Sequence, residues 1–195
     1  MVPLMAGRSR IVSPAPDISP RMKQLTLIRH AKSAHDHVLL RDFDRPLSDR
    51  GLRDAPLVAR HLKEIQQSAP DALITSPALR ARTTAEIIRR EAALTHLPLT
   101  EEPRIYEAPV DTLAAVLRGI PDTFGDVLLF GHNPGLENLA NWLCGQRAVY
   151  GLRTAGVILL ELDVPVWQET GLGCAKLLTY FYPAQIGGGK DAHGA

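Results

Sequence analysis

Leu25-Thr26-Leu27-Ile28-Arg29-His30-Ala31 is the stretch on which the fold of this chain turns. A short run of apolar and β-branched residues is followed at once by a guanidinium and an imidazole. That pattern reads as a buried strand ending at an exposed rim. In an open α/β sheet, ligands bind beyond the carboxyl ends of the strands, so Arg29 and His30 stand where a site belongs. An imidazole beside an always-charged guanidinium suits attack on phosphorus, with the histidine as nucleophile and the arginine neutralising phosphoryl oxygens. A solvated strand end is the plainer reading of one such pair. Other strand ends decide between them.

Three more follow the same plan. Asp71-Ala72-Leu73-Ile74-Thr75 reads as a strand that runs into Ser76-Pro77-Ala78-Leu79-Arg80. Ser76 suits an N-cap and Pro77 a first helical residue, which predicts a helix over 77–92 with Arg80 in its first turn. Ala81, Ala85, Ile88 and Ala92 recur at helical spacing and form its inward face. A third strand over 99–106 is expected to deliver Glu107 at its end. A fourth, from Asp126 to Phe130, stops at Gly131-His132-Asn133-Pro134, with Asn133 capping the next helix and His132 left on the rim. Between these lie a helix begun by Ser48, which Pro56 is expected to kink or delay, and a helix over 110–118. Segments 155–162 and 175–182 read as closing strands.

With 195 residues, 45% of them hydrophobic, the chain can bury one good core. Strand and helix patterns alternate along it. This predicts an α/β fold, a three-layer α/β/α sandwich with a mostly parallel central sheet, over a single domain at 22–184. Residues 1–21, with Pro3, Pro14, Pro16 and Pro20, read as a flexible N-terminal extension, and 185–195 as a disordered tail. A formal net charge of +1 gives no reason to expect a nucleic-acid or membrane surface. Cys144 and Cys174 read as small buried residues outside any disulfide or zinc pattern, which suits a reducing cytoplasm.

The quoted pieces resemble the histidine phosphatase superfamily, with its phosphoglycerate-mutase-like fold and its Arg-His-Gly signature at the first strand end. The likeness is greatest to the SixA-type bacterial phosphohistidine phosphatases. It is carried by Leu27-Ile28-Arg29-His30-Ala31, Arg45-Pro46-Leu47-Ser48 before Gly51, Ser76 to Thr84, Tyr106-Glu107-Ala108 and Gly131-His132-Asn133-Pro134. One departure stands out: Ala31 replaces the usual glycine, which costs little unless that position needs a positive φ. The resemblance implies that His30 attacks phosphorus and is transiently phosphorylated, and that Arg29, Arg45, Arg80 and His132 contact the phosphoryl oxygens. It implies no metal and no other cofactor.

Glu107 has two readings. It is an ordinary surface carboxylate or the acid that protonates a leaving group. An ester expels a poor alkoxide leaving group that needs such an acid. Phosphohistidine expels an imidazole, whose conjugate acid has a pKa of about 6.5. Arg45 equally suits an ion pair with Asp42, Asp44 or Asp49. His35-Asp36-His37 invites a metal, but no third and fourth ligand are apparent, and a solvated loop is the simpler reading. The expected function is a metal-independent phosphatase acting on phosphohistidine in a partner protein. The alternatives are a phosphatase of a small phosphomonoester and a phosphate-binding module without turnover. The oligomeric state stays open, a monomer being compatible with everything above.

Overall fold

Alternate residues of the central strands face opposite ways, and the core divides accordingly. The computed structural model describes residues 22–34, 40–66 and 68–187. Strand β1 (Lys23–Arg29) sends Leu25 and Leu27 to one side, where they meet Val127 and Leu129 of β4 (Asp126–Gly131). Ile28 of β1 and Leu128 and Phe130 of β4 face the other side. Both strands are buried on both faces, which is why they read as near-continuous apolar runs. Helices α1 (Asp49–Ile65) and α2 (Leu79–Glu91) cover one face. Helices α3 (Val110–Arg118) and α4 (Gly135–Leu143) cover the other. The result is the expected three-layer sandwich.

With β2 (Ala72–Thr75), β3 (Leu99–Glu101), β5 (Val157–Leu162) and β6 (Ala175–Phe181), the sheet has the order β3-β2-β4-β1-β5-β6. The first four strands of that order run parallel, and β5 pairs antiparallel with both β1 and β6. The chain leaves β1 toward α1 on one face and leaves the adjacent β4 toward α4 on the other. Such a point of divergence opens a crevice beyond the strand ends. Register sharpens it: Arg29 pairs with Gly131, so His30 and His132 are the next residues on neighbouring strands.

Several local expectations are corrected. Pro56 neither delays nor divides α1, which begins at Asp49 behind the Ser48 cap and runs unbroken to Ile65. Proline removes the bond to the carbonyl of Leu52, and Leu52 lies on the exposed side, where water can take that role. Helix α2 starts at Leu79, with Ala78 as its N-cap; the Ser76 hydroxyl instead accepts from the Ala78 N–H. The third strand is only three residues long, and Pro103–Ile105 forms a 3-10 turn. Pro103 can give no ladder hydrogen bond, which ends the strand early. A short helix α5 (Pro183–Ile186) runs past the expected start of the tail at 185, and Ile186 packs against the α1/α2 side of the core. Cys144 and Cys174 are free thiols, only partly buried. Residues 1–21, 188–195 and the His35-Asp36-His37 segment lie outside the described residues.

The glycine of the Arg-Pro-Leu-Ser motif has a definite use. A Cβ on Gly51 would stand 2.2 Å from the carbonyl oxygen of Lys32. That same oxygen accepts hydrogen bonds from the Ser48 backbone N–H and hydroxyl. Only glycine lets the start of α1 pack this closely on the turn after His30. The Ser33–Leu47 bridge and the bond from the Ala34 N–H to Pro46 O hold the segment after Arg45 to the same turn.

Candidate active site

The two rim histidines meet because their strands do, and their ring centroids are 5.2 Å apart. The His30 ring lies 2.8 Å through Nδ1 from its neighbour's carbonyl oxygen, Ala31 O. A carbonyl can only accept, so Nδ1 carries the proton and Nε2 keeps its lone pair. Arg80 Nε donates to that Nε2 at 3.3 Å. The His30 backbone is pinned as well: its N–H donates to Gly131 O, and its carbonyl accepts from the N–H of Ala155. Ala155 holds that bond in a left-handed conformation, φ 54°. Ala31 is not among the positive-φ residues, and its methyl is fully buried. The backbone therefore accepts alanine there as expected, and the Ala31 N–H is taken up by the Thr84 hydroxyl at 3.0 Å.

Three arginines converge on this imidazole from separate elements. Arg29, at the end of β1, donates through Nη1 to Leu152 O at 2.6 Å, while its buried Nε finds no partner among the described residues. Arg80, in the first turn of α2, is 3% exposed, and its guanidinium donates to the carbonyl oxygen and to Oδ2 of Asp42. Arg45 pairs through Nη2 with Oδ1 of Asp42 at 2.8 Å. Arg45 thus makes one of the expected ion pairs, the one with Asp42, and it also lines the cavity at His30. The Asp42 carboxylate also accepts from the Tyr106 hydroxyl at 2.9 Å. A carboxylate thus rests among donors on Arg45, Arg80 and Tyr106, and phosphoryl oxygens need the same kind of donors. Burial alone would raise the Asp42 pKa, but the Tyr106 hydrogen bond and the Arg80 charge hold it below the ordinary carboxylate value.

His132 Nε2 lies 2.8 Å from Oγ of Ser76, the residue that follows the adjacent β2. Its Nδ1 is buried without a partner among the described residues. The direction of that bond goes with the tautomer: where the Ser76 hydroxyl donates to Nε2, Nδ1 carries the proton and is a hydrogen-bond donor. Tyr106 stacks edge-on against the His132 ring at 5.3 Å and lies under the Arg80 guanidinium. Glu107 follows a turn rather than a strand, in a left-handed conformation with φ 48°. It is exposed, and it lines the same cavity as His30, Arg29, Arg45, Arg80 and His132. That cavity has a volume of about 220 Å³. All of the expected site residues therefore border one space.

Sequence reasoning missed three contributors. Asp42 entered only as a partner for Arg45. The motif that contains Tyr106 assigns it no role, and Ser76 suits a helix cap. A Tyr-Glu pair just before a buried alanine was the one available signal for Tyr106. Nothing local announces that Asp42 reaches into the arginines, because the contact with Arg80 spans 38 positions. Among the described residues, no group of three histidine, cysteine or acidic side chains could hold a metal ion.

Both imidazoles are held neutral. Burial pulls the His30 pKa down to about 4, with the charges of Arg80, Arg29 and Arg45 adding to the effect against the opposing Ala31 hydrogen bond. Burial, then His30 and Arg80, take His132 down to about 3. In the unfolded chain both return to about 6.5. As pH falls the unfolded chain therefore binds these protons first. Their contribution to stability is fully present above pH 6.5 and is lost as pH falls toward 4 and then 3. Urea unfolding should show a loss on the order of 5 kcal/mol between pH about 7 and about 4.5 from the two groups together. The His30→Asn/His132→Asn double variant should lose much less over that interval. An equally steep decline in that variant would place the effect elsewhere.

With the geometry described, its likeness to known proteins can be stated. The family model of the histidine phosphatase superfamily (branch 1) matches residues 25–124. This chain belongs to the histidine phosphatase superfamily. An uncharacterized chloroplastic protein of Arabidopsis thaliana is 34% identical over 176 residues, covering 86% of this chain and 78% of that protein. The structure of the protein histidine phosphatase SixA complexed with tungstate superposes with a TM-score of 0.69 at 24% identity, over 84% of this chain and 99% of that one. That of mycobacterial glucosyl-3-phosphoglycerate phosphatase superposes with a TM-score of 0.59 at 17% identity, over 82% and 98%. At these identities the two structures establish a shared fold. No helix among the described residues is long and apolar enough to cross a membrane.

Proposed function

We propose that this protein is a phosphatase in which His30 Nε2 takes the phosphoryl group from its substrate. One observation carries the reading. His30 presents an unprotonated Nε2 to Arg80 because its own Nδ1–H is committed to the Ala31 carbonyl. The lone pair attacks phosphorus, the bond to the leaving group breaks, and that group departs with the electron pair. Water then attacks the phosphoimidazole, and the P–N bond returns its electrons to Nε2. Arg29, Arg45, Arg80 and His132 hold the phosphoryl oxygens through both steps, in place of the Asp42 carboxylate, which moves aside. Positioning and charge stabilisation are most of what phosphoryl transfer needs. The guanidinium groups supply the positive charge, so the reading requires no metal.

The preferred substrate is phosphohistidine in a partner protein. Its leaving imidazole needs little protonation, so the ring of arginines and histidines suffices. Glu107 favours a second reading, a small phosphomonoester, because its carboxyl borders the same cavity and could protonate an alkoxide. The free thiols Cys144 and Cys174 suit a reducing compartment, which is consistent with the cytoplasm.

Turnover of a phosphohistidine protein beside a panel of phosphomonoesters, with and without chelator, tests the reading. Chelator should leave the rates unchanged; their loss would argue for a metal enzyme. Glu107→Gln should lower kcat/KM for phosphomonoesters about 10²-fold and for phosphohistidine by less than about threefold. Equal losses on both substrate classes would contradict this division of labour.

A further inference from the structure

The cavity at His30 shares a wall with a larger one that the reaction itself does not use. Arg29, Lys32 and Thr154 line both. The second space, about 440 Å³, is completed by Arg50, Arg153 and the segment from Tyr182. Its size is that of a small-ligand pocket. Four cationic side chains thus border it from four places: the end of β1, the turn after His30, the start of α1 and the loop before β5. Among the described residues that line it there is no carboxylate. Arg50 has one partner, Asp54 on the same helix.

A general excess of basic residues does not explain this concentration, because the chain carries 22 Lys and Arg against 21 Asp and Glu. A cleft lined by side chains of one sign focuses the field and raises the local concentration of anions. The other side of the reaction centre is different. There a cavity of about 420 Å³ is bordered by Glu107, Pro109, His132, Asn133 and Pro134, with no cation. The leaving-group surroundings are therefore electrostatically lopsided.

We propose that the cavity bordered by Arg29, Lys32, Arg50 and Arg153 binds a second anionic group, a carboxylate or phosphate, on the same substrate molecule whose phosphoryl group meets His30. The proposal rests on the phosphatase reading and deepens it, since it selects substrates by the charge of the leaving-group portion. Acidic residues flanking a phosphorylated side chain would satisfy it, and so would a second phosphate on a small molecule.

Two non-hydrolysable probes test the site independently of turnover: methylphosphonate and propane-1,3-bisphosphonate, titrated calorimetrically into the full chain. The bisphosphonate should bind about tenfold more tightly to wild type, as two additional ion pairs would give. The Arg50→Ala/Arg153→Ala variant should lose that preference and keep its affinity for methylphosphonate. Arg50→Lys/Arg153→Lys should recover part of the preference. Raised ionic strength should erode it, because exposed charges are screened. Equal affinity of the two probes for wild type, or a variant that weakens both alike, would overturn the proposal.

Turnover then separates the sources. A phosphohistidine peptide with flanking aspartates is compared with its asparagine twin, and propane-1,3-diol bisphosphate with propyl phosphate. The pair in which wild type prefers the more anionic member, and the double-alanine variant does not, identifies the source. Absence of any turnover alongside a retained binding preference would sink the phosphatase reading and leave the anion site standing.

Discussion

His30→Ala should lower kcat/KM by about 10⁴-fold or more on every phosphorylated substrate the wild type accepts, as loss of a nucleophile does. The size follows from the site's construction. His132 is 5.2 Å away, ring to ring. Its Nε2 is occupied by Ser76, so no second imidazole is placed to take over. The variant should remain folded, because only His30, not the strand bearing it, changes, and removing a buried imidazole relieves the penalty its protonation imposes in acid. Far-UV circular dichroism and urea unfolding at neutral pH should match wild type to within about 2 kcal/mol. Substantial residual catalysis would mean that phosphorus is attacked by water or by another side chain.

The second large effect belongs to Arg80. Arg80→Ala should cost about 10³-fold in kcat/KM, the scale seen when a preorganised donor to a developing charge is removed. Arg80 touches both sides of the chemistry, donating to His30 Nε2 and gripping the Asp42 carboxylate where phosphoryl oxygens belong. A second readout separates this role from mere packing. The Arg80 charge helps to hold the His30 pKa down, so its loss should move the acid limb of the pH–rate profile upward. Arg80→Lys should fall between, since an ammonium restores the charge without the planar fork. A loss below about tenfold, or an unmoved acid limb, would contradict the assignment.

Much of this site was legible because strand ends advertise themselves. Leu25–Ile28 and Val127–Phe130 are apolar apart from Thr26, and the first polar residues after them, Arg29-His30 and His132, belong at the rim. Arg29-His30 and Gly131-His132 could therefore be placed before any coordinates. That they stand side by side could not, since the order β3-β2-β4-β1-β5-β6 is a property of pairings between distant segments. Pro103, inside the expected third strand, is a stop signal that the sequence itself carries. Glu107 lies beyond that stop, in a left-handed turn. Asp42 and the basic cavity were illegible for another reason. Both depend on long side chains from unlinked elements meeting in space, and no spacing along the chain encodes such a meeting.

The most direct measurement of the central claim is the covalent state of position 30 during turnover. Enzyme mixed with a ³²P-labelled phosphoryl donor should be quenched in base, digested and mapped. Label stable to alkali, labile to acid and confined to the peptide at His30 is the predicted result, with none in His30→Ala. Turnover accompanied by label on another residue, or by none anywhere under conditions that trap the intermediate, would contradict it.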